Sequence, residues 1–199
     1  MRMRTLLLLA PLFALAACVD TTGLTATIHT DSHPETSQNA LVTVTEYADV
    51  QCPACRSAHG SLVKPLIAKY GTQISYDFRH FPLTSIHRFA MEGAEAAECA
   101  ADQGKFWQFL DVTYENQKDM SSEALREWAQ DLKLDAPLFD RCVKSRIKRK
   151  AIQASYDEGR AKGVQGTPTF FVNGQQTVAT MDAISAAIDA ALQQAAVIR

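Results

Sequence analysis

The stretch "ADVQCPACRSAHG", Ala48 to Gly60, places two cysteines two residues apart, and its setting decides the fold. Just before it, "ALVTVTEYAD" (Ala40 to Asp49) is rich in β-branched residues and predicts a central strand. Pro53 follows the first cysteine and suits the first position of a helix, where its missing N–H costs nothing. That helix is expected to run to about Tyr70, to kink at Pro65, which cannot donate its helical bond, and to stop at Gly71. Cys52 then sits at a helix N-terminus, where unpaired backbone N–H groups and the helix dipole stabilise a thiolate. Cys55 lies one turn on, within reach of an intramolecular disulfide. Two other readings stay open for this pair: half of a zinc site, or a structural staple. Zinc normally needs a second tight Cys or His pair, and Cys99 and Cys142 lack that spacing; His59 is a ligand on paper only.

Further along, "QISYDFRHF" (Gln73 to Phe81) reads as a second strand. The middle of the chain is helical. "HRFAMEGAEAAECAADQG" carries small residues at helical spacing, and "KFWQFLDVTYENQ" continues the pattern with Phe106 and Trp107 as candidate core. "SSEALREWAQDLKL" opens on a serine cap and places Leu125, Trp128, Ala129 and Leu132 on one stripe. Asp135 to Gly163 reads as one long helix or a pair. Strand signals return at "TPTFFVNGQQTVA" (Thr167 to Ala179), with Asn173-Gly174 as hairpin turn, and a helix from about Met181 to Ala195 follows. Two sheet halves separated by a helical block predict an α/β domain around a small mixed sheet.

The first residues read as a targeting signal. Arg2 and Arg4 precede an apolar run, Leu6 to Ala17, that is too short to span a bilayer comfortably. It ends in "LAAC" (Leu15 to Cys18), which looks like a bacterial lipobox and marks Cys18 for lipidation; "ALA" (Ala14 to Ala16) fits ordinary signal cleavage instead. The expected organisation is a signal peptide over 1–17, a polar tether over 18–39 with a short strand near Ala26 to His29, and a domain over 40–196. The compartment expected is the periplasm of a bacterial envelope, with the protein lipid-anchored to a membrane. A net charge of −2 gives no case for nucleic acid. The one basic run, "KSRIKRK" (Lys144 to Lys150), reads as the solvated face of a helix.

The runs "TEYADVQCPAC", "FRHFPL", "HRFAMEGAEAAECAADQGKFWQF" and "EGRAKGVQGTPTFFVNG" together resemble the DsbA-like thiol:disulfide oxidoreductases of the thioredoxin superfamily, over roughly Ala40 to Leu192. The resemblance implies a thioredoxin fold with an inserted helical subdomain over about 84–162. It implies that Cys52 is the nucleophile, Cys55 the resolving cysteine, and Pro168 a loop proline held cis beside them. Thr167 would offer its backbone to an extended substrate. Glu46 matches an acidic position under the active site and would shuttle the proton of Cys55; its plain alternative is a strand-end surface glutamate. Asp49 fits the family pattern without an assigned chemical role. Ala54 stands where DsbA has a histidine that helps stabilise the thiolate, so a less oxidising centre is expected. His80 and His87 read as packing or loop-ordering residues. A structural disulfide is expected between Cys99 and Cys142 in an oxidising compartment, the alternative being two buried free cysteines.

The activity expected is therefore disulfide exchange with reduced or misoxidised envelope proteins, most simply as an oxidase reoxidised by a membrane redox partner. A reductase or isomerase, and a chaperone or binding module without turnover, are the competing readings. No metal or cofactor is implied, and a monomer is expected.

Overall fold

The computed structural model describes residues 20–28 and 33–197. The signal peptide and the lipidation candidate Cys18 lie outside the described residues. Strand β1 (Val42–Ala48) leads into α1 (Pro53–Ala58), a π-helical turn (His59–Val63) and α2 (Lys64–Tyr70). The wide turn falls just before Pro65, whose ring nitrogen has no hydrogen to give the preceding turn. Gly71 ends α2 with φ 48°, a conformation that side chains with a Cβ avoid. Strand β2 (Ile74–His80) follows.

Five helices then precede the next strand: α3 (Ala90–Ala101), α4 (Phe106–Glu115), α5 (Ser122–Asp131), α6 (Ala136–Ser145) and α7 (Arg149–Ala161). The Ser121 side chain accepts the Ala124 N–H and caps α5. Asp135 does the same for α6 through Leu138. The segment read as one long helix or a pair is a pair, broken where Arg146 takes a left-handed conformation, φ 53°. Strands β3 (Thr169–Val172) and β4 (Gln175–Thr177) form a hairpin through Asn173 and Gly174, both at positive φ as a tight turn of this hand requires. Helix α8 (Met181–Val197) follows.

The sheet order is β2-β1-β3-β4. β1 runs parallel to β2, with Val42 opposite Ile74 and Ala48 opposite His80. It runs antiparallel to β3, with Val44 opposite Val172 and Tyr47 opposite Thr169. The strand that leads into the cysteine turn is therefore internal, as its β-branched composition predicts. Side chains alternate across the pleat. Val44, Phe170 and Val172 enter the larger core with Leu66, Phe109, Ile184 and Ile188. Tyr47 and Phe171 belong to a smaller core with Phe81 and Val164, closed by Tyr156 of α7.

Three expectations change. The basic run is not a solvated face throughout: Lys148 is fully buried, its Nζ 2.7 Å from Asp102 and donating to Thr25 Oγ1 and the Thr27 carbonyl. Arg149 pairs with the buried Glu95 at 2.7 Å. The segment read as a tether is likewise docked where it is described. Thr25 is bonded to both Lys148 and Asp102, Leu24 packs on the core, and Arg141 donates to the Thr22 carbonyl. Within the expected short strand, 26–28 is bent rather than extended into a sheet, and His29 lies outside the described residues. Cys99 of α3 and Cys142 of α6 are joined as a disulfide across 43 residues of sequence.

Candidate active site

Cys52 closes the turn after β1. Its backbone is extended (φ −77°, ψ 123°), its N–H donates to the Asp49 carbonyl, and its carbonyl accepts the Arg56 N–H that begins α1. Pro53 stands at the head of the helix, where it costs no bond. Both cysteines are thiols in this structure; Cys52 is 6% exposed and Cys55 fully buried.

The two sulfurs are electrostatically unlike. The Cys52 thiol is lowered to about 5. The side-chain hydrogen bond from Cys55 is the largest cause, helped by Thr167 and by the backbone N–H groups of Cys55 and Ala54, against the opposing effect of burial. Ala54 thus contributes through its main chain, although its side chain offers nothing. Burial first, then the bond to Cys52 and the charge of Glu46, push the Cys55 thiol well above its ordinary value. One cysteine is built to be a thiolate and the other to hold its proton.

Opposite the pair, the Thr167–Pro168 peptide is cis, and the Thr167 carbonyl lies 3.5 Å from the Cys52 sulfur. An open groove of about 500 Å³ runs beside this loop, with Gln165, Gly166, Thr167, Pro168 and Gln176 among its lining residues. Strand β1 brings Glu46 beneath the site; it is 2% exposed and accepts a 2.7 Å hydrogen bond from the Tyr76 hydroxyl. Burial raises its carboxyl to about 7, with Tyr76 opposing and the charge of Cys52 adding to the rise. Glu46 is not a surface residue.

The histidines take structural places. His87 Nδ1 lies 2.7 Å from Asp49, and His80 Nε2 lies 2.8 Å from Glu98 with both side chains buried. His59 is buried and 2.7 Å from Asp111, joining the active-site helix to α4. Among the described residues no group of three or more His, Cys, Asp or Glu side chains could hold a metal ion.

Sequence reasoning misses Gln117. Its Nε2 donates to the carbonyls of both Val50 and Cys52 at 3.0 Å, which fixes the cysteine turn from the helical block. Nothing in its local sequence marks it, since its partners are 67 and 65 residues away. Gln51 is a second such residue, accepting the Phe89 N–H at 2.6 Å.

A cysteine pair at a helix head, facing a cis X–Pro loop on a β2-β1-β3-β4 sheet with an inserted helical block, defines a protein of thioredoxin fold in its DsbA-type form. The family model described as Thioredoxin matches residues 36–190, and the chain belongs to that family. Its fold is similar to that of BdbD from Bacillus subtilis, with a TM-score of 0.69, 20% identity, and coverage of 84% of this chain and 99% of that one. It is also similar to α-DsbA2 from Wolbachia pipientis, with a TM-score of 0.68, 22% identity, and coverage of 78% and 84%. Curated relatives carry a different name. A Na(+)/H(+) antiporter NhaA of Salinispora tropica is 38% identical over 165 residues, which is 82% of this chain and 25% of the antiporter. One from Herminiimonas arsenicoxydans is 33% identical over 151 residues, 76% of this chain and 24% of the antiporter. The chain thus spans about a quarter of the length of these relatives.

Proposed function

We propose that the chain is an exported thiol:disulfide oxidoreductase that donates disulfides to envelope proteins. The observation that carries this is the opposed pair of sulfurs: a Cys52 thiol lowered to about 5 beside a Cys55 thiol raised by burial, facing the Thr167–Pro168 loop. In the oxidised protein a substrate thiolate attacks the Cys52 sulfur. A substrate–Cys52 bond forms, the Cys52–Cys55 bond breaks, and the electron pair passes to Cys55. Glu46, whose carboxyl is raised to about 7, is placed to supply the proton that Cys55 takes up. A second substrate thiolate then attacks the substrate sulfur and releases Cys52, a good leaving group because its thiolate is stabilised. The substrate leaves with a disulfide, both cysteines are reduced, and a membrane redox partner reoxidises them.

The sodium–proton antiporter name supports no antiport here. The match covers about a quarter of those proteins, and at 165 residues of a 199-residue chain it takes in most of the stretch that the Thioredoxin family model matches. Among the described residues no helix is long and apolar enough to cross a membrane. Export and lipidation at Cys18 rest on Arg2, Arg4, the Leu6 to Ala17 run and "LAAC". Mass spectrometry of the mature N-terminus tests them, an unmodified Met1 counting against both.

Oxidation of a reduced, unfolded protein substrate tests the reading, with Cys52→Ser expected to abolish it. Activity retained in Cys52→Ser would point to a binding module. The direction of electron flow is tested by equilibrium with glutathione. A potential as low as that of thioredoxin, about −270 mV, overturns the oxidase reading in favour of a reductase. Mixed disulfides trapped with Cys55→Ala in the native cell would name the substrates.

A further inference from the structure

Asp49 is the buried acid that the exchange reaction, as described, does not use. It is 1% exposed, and three donors converge on its carboxylate. Oδ1 accepts the Gln51 N–H at 2.7 Å. Oδ2 accepts the Leu83 N–H at 2.8 Å and faces His87 Nδ1 at 2.7 Å. Leu83 and His87 belong to the segment between β2 and α3, so this carboxylate ties the cysteine turn to the entrance of the helical block. The main chain of Asp49 is engaged with both cysteines: its carbonyl accepts the Cys52 N–H at 3.0 Å, and its own N–H donates to the Cys55 sulfur at 3.5 Å.

That last bond falls where the reaction needs help. Cys55 is the leaving group when the disulfide opens, and it leaves into a fully buried site where a thiolate is costly. A leaving thiol that is hard to ionise leaves slowly. A fixed N–H aimed at the sulfur stabilises the charge as it develops and needs no reorganisation at that moment. A strand-end peptide keeps such an orientation only if something holds it, and the convergence of Gln51, Leu83 and His87 on one carboxylate does so.

We propose that Asp49 is a positioning residue for the departure of Cys55: its carboxylate holds the Asp49 main-chain N–H on the sulfur that becomes negative when the disulfide opens. This rests on the disulfide-exchange reading above. In the step concerned, a substrate thiolate bonds to the Cys52 sulfur, the Cys52–Cys55 bond breaks, and the electron pair goes to Cys55, which is reduced as the substrate sulfur is oxidised. Asn is the informative replacement. Its NH₂ group would meet an N–H donor where a carboxylate oxygen now accepts one, so the shape is kept and the grip is lost.

The test follows the opening of the oxidised protein's disulfide by reduced glutathione in stopped flow, alongside the pH dependence of Cys52 alkylation in the reduced protein. Asp49→Asn is expected to slow opening about tenfold while the Cys52 titration midpoint stays in place. An opening rate within about twofold of the parent, or a Cys52 midpoint that moves in step with the rate, overturns the proposal. His87→Phe removes one of the three donor groups and stands in if Asp49→Asn does not fold; about threefold slowing is expected, and an unchanged rate overturns the proposal. If glutathione fails to open the disulfide of the parent protein, the exchange reading itself fails. If the parent reacts and the variants match it, only the role of Asp49 fails.

Discussion

The Tyr76 hydroxyl donates a 2.7 Å hydrogen bond to Glu46 Oε2, and both side chains are buried. This bond favours the carboxylate, yet burial outweighs it and the carboxyl is raised to about 7. The folded protein therefore holds a proton that the unfolded chain, with a carboxyl at its ordinary value of 4.5, releases earlier. Below about 4.5 both states are protonated and the group makes no difference. Between about 4.5 and 7 the unfolded state binds fewer protons, so stability falls as pH rises. Glu46→Gln is expected to remove that slope, a change on the order of 3 kcal/mol across the window. Urea unfolding of the oxidised protein, whose cysteines do not titrate, measures it. An equal slope in parent and variant would place the proton elsewhere.

Cys52 has the opposite sign. Its folded thiol is lowered to about 5, chiefly by the bond from Cys55, against an ordinary value of 9.0. In the reduced protein it contributes stability that is fully present above about 9 and is lost as pH falls through about 5. The ultraviolet absorbance of the thiolate should appear with a midpoint near 5, and it should be absent in Cys52→Ser. A midpoint near the ordinary thiol value would remove the basis for treating Cys52 as the good leaving group.

Lys148 and Asp102 form a buried pair, their side chains 0% and 4% exposed. Replacing the lysine alone takes the cation from a buried carboxylate. Lys148→Met is expected to destabilise the protein by about 3–5 kcal/mol, whereas Lys148→Met combined with Asp102→Leu should recover much of that loss. Denaturant midpoints for the two variants decide between this and a pair that only decorates the surface. Because Lys148 also holds Thr25 and Thr27, proteolysis near residue 25 should become faster in the single variant.

The Cys99–Cys142 disulfide ties α3 to α6. Closing a loop of this length restricts the unfolded chain, and the chain-entropy argument assigns it about 4 kcal/mol. Cys99→Ala with Cys142→Ala should lower stability by that order while leaving the Cys52 titration unmoved, since neither cysteine touches the redox pair. Free thiols at both positions in the protein isolated from its native cell, found by non-reducing peptide mapping, would remove the premise.

Much of the frame was legible in the sequence because it is set by local chemistry. The β-branched run before Cys52, Pro53 at the helix head, Gly71 at its end and Asn173-Gly174 in the hairpin each act within a few residues of themselves. The resemblance added the cis loop at Pro168 and the place of Glu46. The charge pattern of "KSRIKRK" misleads for a physical reason. Charge patterning along a helix says which residues can be solvated, and it is blind to a carboxylate arriving from elsewhere. Asp102 comes from the end of α3, 46 residues before Lys148, and with Thr25 and Thr27 makes a buried lysine tolerable.

Local sequence puts two cysteines at the junction of an internal strand and a helix, because strand propensity, proline and glycine act on the backbone beside them. How those cysteines differ is set by what the folded chain packs around them. Burial raises Cys55, and the Thr167 loop, 115 residues away, helps lower Cys52. Leu83, His87 and Gln117 arrive from beyond β2 to fix the turn between Asp49 and Cys52. Desolvation and long-range hydrogen bonds depend on what packs against a residue, and no periodicity in the chain records that.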